Sequence, residues 1–131
     1  MLRRHPATSG LVIWTLVVWT TRIGNIWGDD ALDTGERWAG TALPLSFTVL
    51  ALGVALALVR RARWIDVAVK ALAGWTLGVW VVRSIDIATG DHDAAFIVVH
   101  LVLGVISVVL AVLAVGELSR RPERPAWQRR R

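Results

Sequence analysis

Four long apolar runs constrain this chain more than any other feature: residues 10–27, 41–59, 65–87 and 94–116. Each is close to the ~20 residues that cross ~30 Å of hydrocarbon at ~1.5 Å per residue. Hydrocarbon offers no partner to a free N–H or C=O, so runs of this length predict helices. A soluble bundle would need a polar face on every helix, yet between residues 101 and 116 Ser107 is the only polar side chain. The expected fold is all-α: a polytopic membrane four-helix bundle forming a single domain over residues 1–119, with a basic tail at 120–131.

Charge then sets the threading. Of the 15 basic residues, 12 flank the same side of the runs: Arg3 and Arg4 before the first, Arg60, Arg61, Arg63 and Lys70 around the second turn, and Arg120, Arg121, Arg124, Arg129, Arg130 and Arg131 after the fourth. The opposite loops hold Asp29, Asp30, Asp33, Glu36, Asp91 and Asp93 against Arg37 alone. Basic residues stay on the cytoplasmic side, so both termini are expected there. The formal charge of +5 thus reads as a topology signal rather than a nucleic-acid footprint. Arg3 and Arg4 before an apolar core resemble a secretory leader. Arg22, Asn25 and Trp27 stand where a small-residue cleavage site would lie, so the first run is expected to remain. Trp27, Trp38 and Trp64 fall at the run boundaries, as an interfacial aromatic belt requires.

The chain also matches itself. Residues 11–26 laid on 72–87 agree at 8 of 16 positions, including Trp14/Trp75, Trp19/Trp80 and Arg22/Arg83. The second members agree more weakly at a shift of 51, through Leu50/Leu101, Leu52/Leu103, Gly53/Gly104 and Val54/Val105. A longer first outer loop, residues 28–40, would account for the difference between the two shifts. Two pseudo-repeated helical hairpins are expected, residues 10–61 and 64–119, related by an axis along the membrane normal. Arg22 and Arg83 are then equivalent positions, and Asn25 is equivalent to Asp86.

Polar groups recur at one depth. Arg22 lies ~8 Å inside the outer boundary of its run and His100 ~9 Å inside its own, with Arg83 and Thr48 at comparable levels. Charges at such depth face the bundle interior and one another. The candidate layer is Arg22, Asn25, Thr48, Arg83, Asp86 and His100, with Arg83–Asp86 at i,i+3 and Asp29 as a further counter-ion for Arg22. One reading is structural, with arginines snorkelling to the interface and a neutral histidine hydrogen-bonding across the bundle. The other is a site for an anionic small ligand. His100, Gly104, Ser107, Ala111 and Ala114 form one small or polar stripe that should pack inward, and Gly74/Gly78 form a G-x-x-x-G that supports a close crossing.

Other chemistry fails on inventory. The absence of cysteine removes disulfides and thiolate ligation. Only one of the three histidines, His100, lies within a run, so a bis-histidine haem has no second ligand, and no Glu-x-x-His pair suggests a metal. No cofactor, metal or catalytic set is expected. Asp91-His92-Asp93 reads as the N-cap of the fourth helix, and Asp33 with Glu36 as a capping box, so the second helix begins in the loop and bends at Pro44.

The stretch Trp75-Thr-Leu-Gly-Val-Trp-Val-Val-Arg83, followed by Gly90-Asp-His-Asp-Ala-Ala-Phe-Ile-Val-Val-His100, resembles small four-helix integral membrane proteins of actinobacterial type that have no assigned function. The resemblance covers mainly residues 75–115 and implies a location in a bacterial cytoplasmic membrane. The expected role is non-enzymatic: an accessory or scaffold component of a membrane complex, or a homo-oligomer, whose partners are the lipid bilayer and another membrane protein. The alternative is a small transporter or channel that handles an anion or small solute through the Arg/His layer.

Overall fold

The computed structural model describes residues 5–120. Four helices follow in order: α1 (Pro6–Trp27), α2 (Thr34–Arg60), α3 (Ile65–Thr89) and α4 (Ala94–Ser119). α1 packs on α2 and α4, and α3 on the same two, so the helices form a closed ring of antiparallel neighbours. Three of them, α2, α3 and α4, are long and apolar enough to cross a membrane. α1, expected as the first span, is not among these. Its length suffices, but hydroxyls at positions 8, 9, 15, 20 and 21 together with Arg22 and Asn25 dilute its apolar run.

Local chemistry explains each helix boundary. Pro6 sits in the first turn of α1, where its missing N–H costs nothing. Asp33 and Glu36 make the expected capping box, with Glu36 N–H donating to Asp33 Oδ1 at 2.9 Å and Asp33 N–H donating to Glu36 Oε2 at 3.0 Å. That cap starts α2 at Thr34, so the loop between α1 and α2 covers only residues 28–33 and the anticipated long outer loop does not exist. Trp14 and Trp75, 61 residues apart, donate to Ser107 and Ser46, which are also 61 apart. α2 runs unbroken through Pro44. It ends on Arg61 in the left-handed region (φ 51°), with Ala62 N–H donating to Ala57 O at 2.9 Å and Arg61 N–H to Leu58 O at 3.4 Å. This is a Schellman closure with arginine where glycine is usual. Asp93 caps α4 by accepting from Phe96 N–H at 2.7 Å.

The core follows a seven-residue rhythm. Phe47, Ala51, Val54 and Ala57 of α2 are wholly buried, facing Leu11 and Val12 of α1, Ile65, Val69 and Leu72 of α3, and Ala111 and Ala114 of α4. The expected small stripe on α4 does pack inward at Gly104, Ser107, Ala111 and Ala114, while His100 is half-buried. Lipid is as apolar as this core, so close packing rather than transfer out of water holds the helices together. Alanine and glycine at the contacts permit that approach. Hydroxyls within the helices are satisfied locally, as where Thr76 donates to Leu72 O at 2.8 Å and Ser107 to Leu103 O at 2.7 Å.

The G-x-x-x-G behaves differently from expectation. A Cβ on Gly74 or Gly78 would meet nothing within 4 Å, so this pair makes no close crossing inside the bundle and faces outward. By contrast, a Cβ on Gly104 would come within 2.8 Å of Trp80 Cε3. The tight α3–α4 crossing is there. It depends on a glycine that the stripe pattern identified and on a tryptophan that the pattern alone could not place opposite it.

Candidate functional site

The residues expected in one polar layer do not converge on one another. Arg83 donates to Asp86 Oδ2 at 3.1 Å, the i,i+3 pair anticipated from spacing, and both side chains are about half exposed. Arg22 and Asn25 are exposed, and among the described residues neither has a hydrogen bond or ion pair. Asp29 is not a counter-ion for Arg22. Its carboxylate accepts from Ala31 N–H at 3.0 Å, and its carbonyl accepts from Arg37 at 2.8 Å. Thr48 donates to Pro44 O at 3.0 Å, and His100 Nδ1 lies 2.8 Å from Phe96 O. Thr48, Arg83, Asp86 and His100 are thus served within their own helices, and Arg22 and Asn25 face outward, so the six residues form no cross-bundle network.

The arrangement of contacts between the two hairpins explains where these residues sit. The hydrogen bonds and ring contacts that join α1 to α4 and α2 to α3 involve residues 7, 8 and 14 against 117 and 107, and 46 and 47 against 75. Toward the end that carries loops 28–33 and 90–93, each hairpin holds mainly to itself. Trp27 Nε1 donates to Thr41 Oγ1 at 3.0 Å and stands edge-on to Trp38, Ile26 covers Gly40, and Trp80 covers Gly104. Arg22 continues the buried series Thr8, Leu11, Thr15, and Arg83 the series Leu72, Thr76, Trp80, yet neither is buried.

Sequence reasoning missed Glu117. At 16% side-chain exposure it accepts from Ala7 N–H at 3.2 Å, Thr8 N–H at 3.0 Å and Thr8 Oγ1 at 2.7 Å, with His5 Nδ1 at 3.9 Å. A carboxylate from the end of α4 therefore caps the start of α1, whose own N-cap His5 supplies no side-chain bond. No local pattern announces a cap lent from another helix. The signal available in sequence was only an acid isolated in an apolar run.

A groove of about 530 Å³ lies between α3 and α4. Its walls are Leu77, Val81, Ile85, Leu101 and Val105, and its polar groups come from Ser84, Trp80 and His100. Phe96 lies between the imidazoles of His92 and His100, with centroid distances of 4.4 and 3.9 Å. The groove contains no charged residue, and among the described residues no group of three His, Cys, Asp or Glu side chains is placed to hold a metal ion. Comparisons with known protein families, with curated proteins and with solved structures found no match. The class the fold defines is therefore an all-α protein with three helices able to cross a membrane.

Proposed function

We propose that the protein is a non-enzymatic membrane scaffold, embedded four times in a bacterial cytoplasmic membrane with both termini inside, that presents one face of α3 to another transmembrane helix. The observation that carries this reading is the outward Gly74/Gly78 pair, which has open space where a Cβ would be. In lipid, such a small-xxx-small face lets a second backbone approach closely, and the partner is a second copy or another membrane protein. The transport alternative has less support. Phe47, Leu11, Leu72, Val54 and Val69 are each almost fully buried and make the mid-bundle core apolar, and Arg22, Arg83 and His100 share no hydrogen bond.

Two further elements of the reading have support of different kinds. Exposed Arg60, Arg61, Arg63 and Arg120 cluster at the end opposite Asp29, Asp30, Asp91 and Asp93, which fits basic residues held inside. The paired Trp14–Ser107 and Trp75–Ser46 bonds fit descent of the hairpins from one duplicated unit. The test is purification in mild detergent with chemical crosslinking, comparing the wild type with Gly74→Leu and Gly78→Leu. A scaffold yields a dimer or a stoichiometric partner that both variants release while keeping helical content. A monomer at every concentration, with solute flux in proteoliposomes that is lost in Arg22→Ala/Arg83→Ala, would replace this reading with the transport one.

A further inference from the structure

The groove between α3 and α4 has a chemical composition that selects an occupant. Both helices are apolar enough to cross the membrane, and the groove's walls are exposed aliphatic side chains, so it opens to hydrocarbon rather than to water. Its polar groups are few, and they are unusual for that setting. Phe96 O can only accept, so His100 Nδ1 at 2.8 Å is the donor, which leaves Nε2 of the neutral ring as a lone-pair acceptor with no partner among the described residues. Ser84 spends its proton on Trp80 O at 2.7 Å and keeps lone pairs free. Trp80 also lines the groove, and its indole N–H has no partner among the described residues. An acceptor left unmet in a hydrocarbon setting carries a desolvation penalty that lipid tails cannot relieve.

We propose that this groove binds a neutral long-chain lipid alcohol, its chain along the aliphatic walls and its hydroxyl donating to His100 Nε2. A hydroxyl fits where other heads do not. It supplies the donor that the imidazole lacks and can also accept from an N–H. A phosphate head would meet no cation in the groove lining. The volume lies within the ~300–1,000 Å³ of ordinary small-ligand sites. Gly104 contributes by letting Trp80 lie flat against α4, since a Cβ there would displace the indole.

The test uses the full chain in phosphatidylcholine vesicles, with a diazirine-bearing long-chain alcohol, its methyl ether and a diazirine phosphatidylcholine as probes. The alcohol should label peptides of α3 and α4 saturably and exceed the ether by about tenfold, the scale of one hydrogen bond. His100→Phe should bring alcohol labelling down to the ether level, and His100→Gln, which keeps an acceptor, should recover part of it. Equal labelling by alcohol and ether in the wild type would overturn the proposal without recourse to any variant. So would labelling in a well-folded His100→Phe that matches wild type, or phosphatidylcholine labelling the same peptides as strongly as the alcohol. Failure here does not decide the scaffold reading, because Gly74 and Gly78 are not among the groove's lining residues and that reading is tested separately by crosslinking.

Discussion

Glu117 holds two backbone N–H groups and one hydroxyl of α1 on a single carboxylate, and those donors are buried or half-buried. Leaving them unmet costs about 1–3 kcal/mol. Glu117→Ala is therefore expected to lower stability by about that amount, and Glu117→Gln by less because one acceptor oxygen survives. Thermal unfolding in detergent measures this, and an alanine variant as stable as wild type would show that the cap contributes nothing. The tryptophan–serine bonds are a second residue-scale case. Trp14→Phe and Trp75→Phe each remove one donor while keeping most ring contacts, so each should cost about 0.5–1.5 kcal/mol. Markedly unequal losses would argue against equivalent roles in the two hairpins. Spacing alone found Arg83–Asp86 and the cap at Asp93, because i,i+3 neighbours and caps are local. It did not find Glu117 or the Trp80–Gly104 contact, because those partners come from separate helices.

At the scale of helices, the contrast between glycines is the sharpest expectation. Gly104→Leu forces a side chain into Trp80 and should destabilise the α3–α4 crossing by about 1–3 kcal/mol or more, as overpacking does. Gly74→Leu meets open space and should leave the monomer's melting temperature unchanged while weakening association. The reverse ranking in a thermal melt would mean the crossing has been assigned to the wrong face. α2 offers a simpler check, since Asp33→Ala removes the cap that starts it and should cost about 1 kcal/mol. Helix positions were largely legible from apolar runs and caps, and so was the inward stripe of α4. The polar layer was not. Depth along each helix can be read from sequence, but whether a hydroxyl or imidazole reaches across the bundle or turns back on its own carbonyl depends on the packing of neighbouring turns. In this chain Thr48 and His100 turn back.

For the whole molecule, the proposed arrangement is a four-pass bundle with both ends on the basic side. Three helices are long and apolar enough on their own, and in this proposal α1 is carried across by its packing against α2 and α4 and by the cap from Glu117. The absence of cysteine makes the decisive measurement clean, since any thiol introduced is the only one in the chain. His5→Cys, Asp30→Cys, Arg63→Cys and Asp91→Cys, made singly, can be probed with a membrane-impermeant maleimide on intact cells and again after permeabilisation. Positions 30 and 91 should label from outside, and positions 5 and 63 only after permeabilisation. Labelling of position 5 from outside together with position 30 would mean that α1 does not cross, and external labelling of position 63 would invert the whole arrangement.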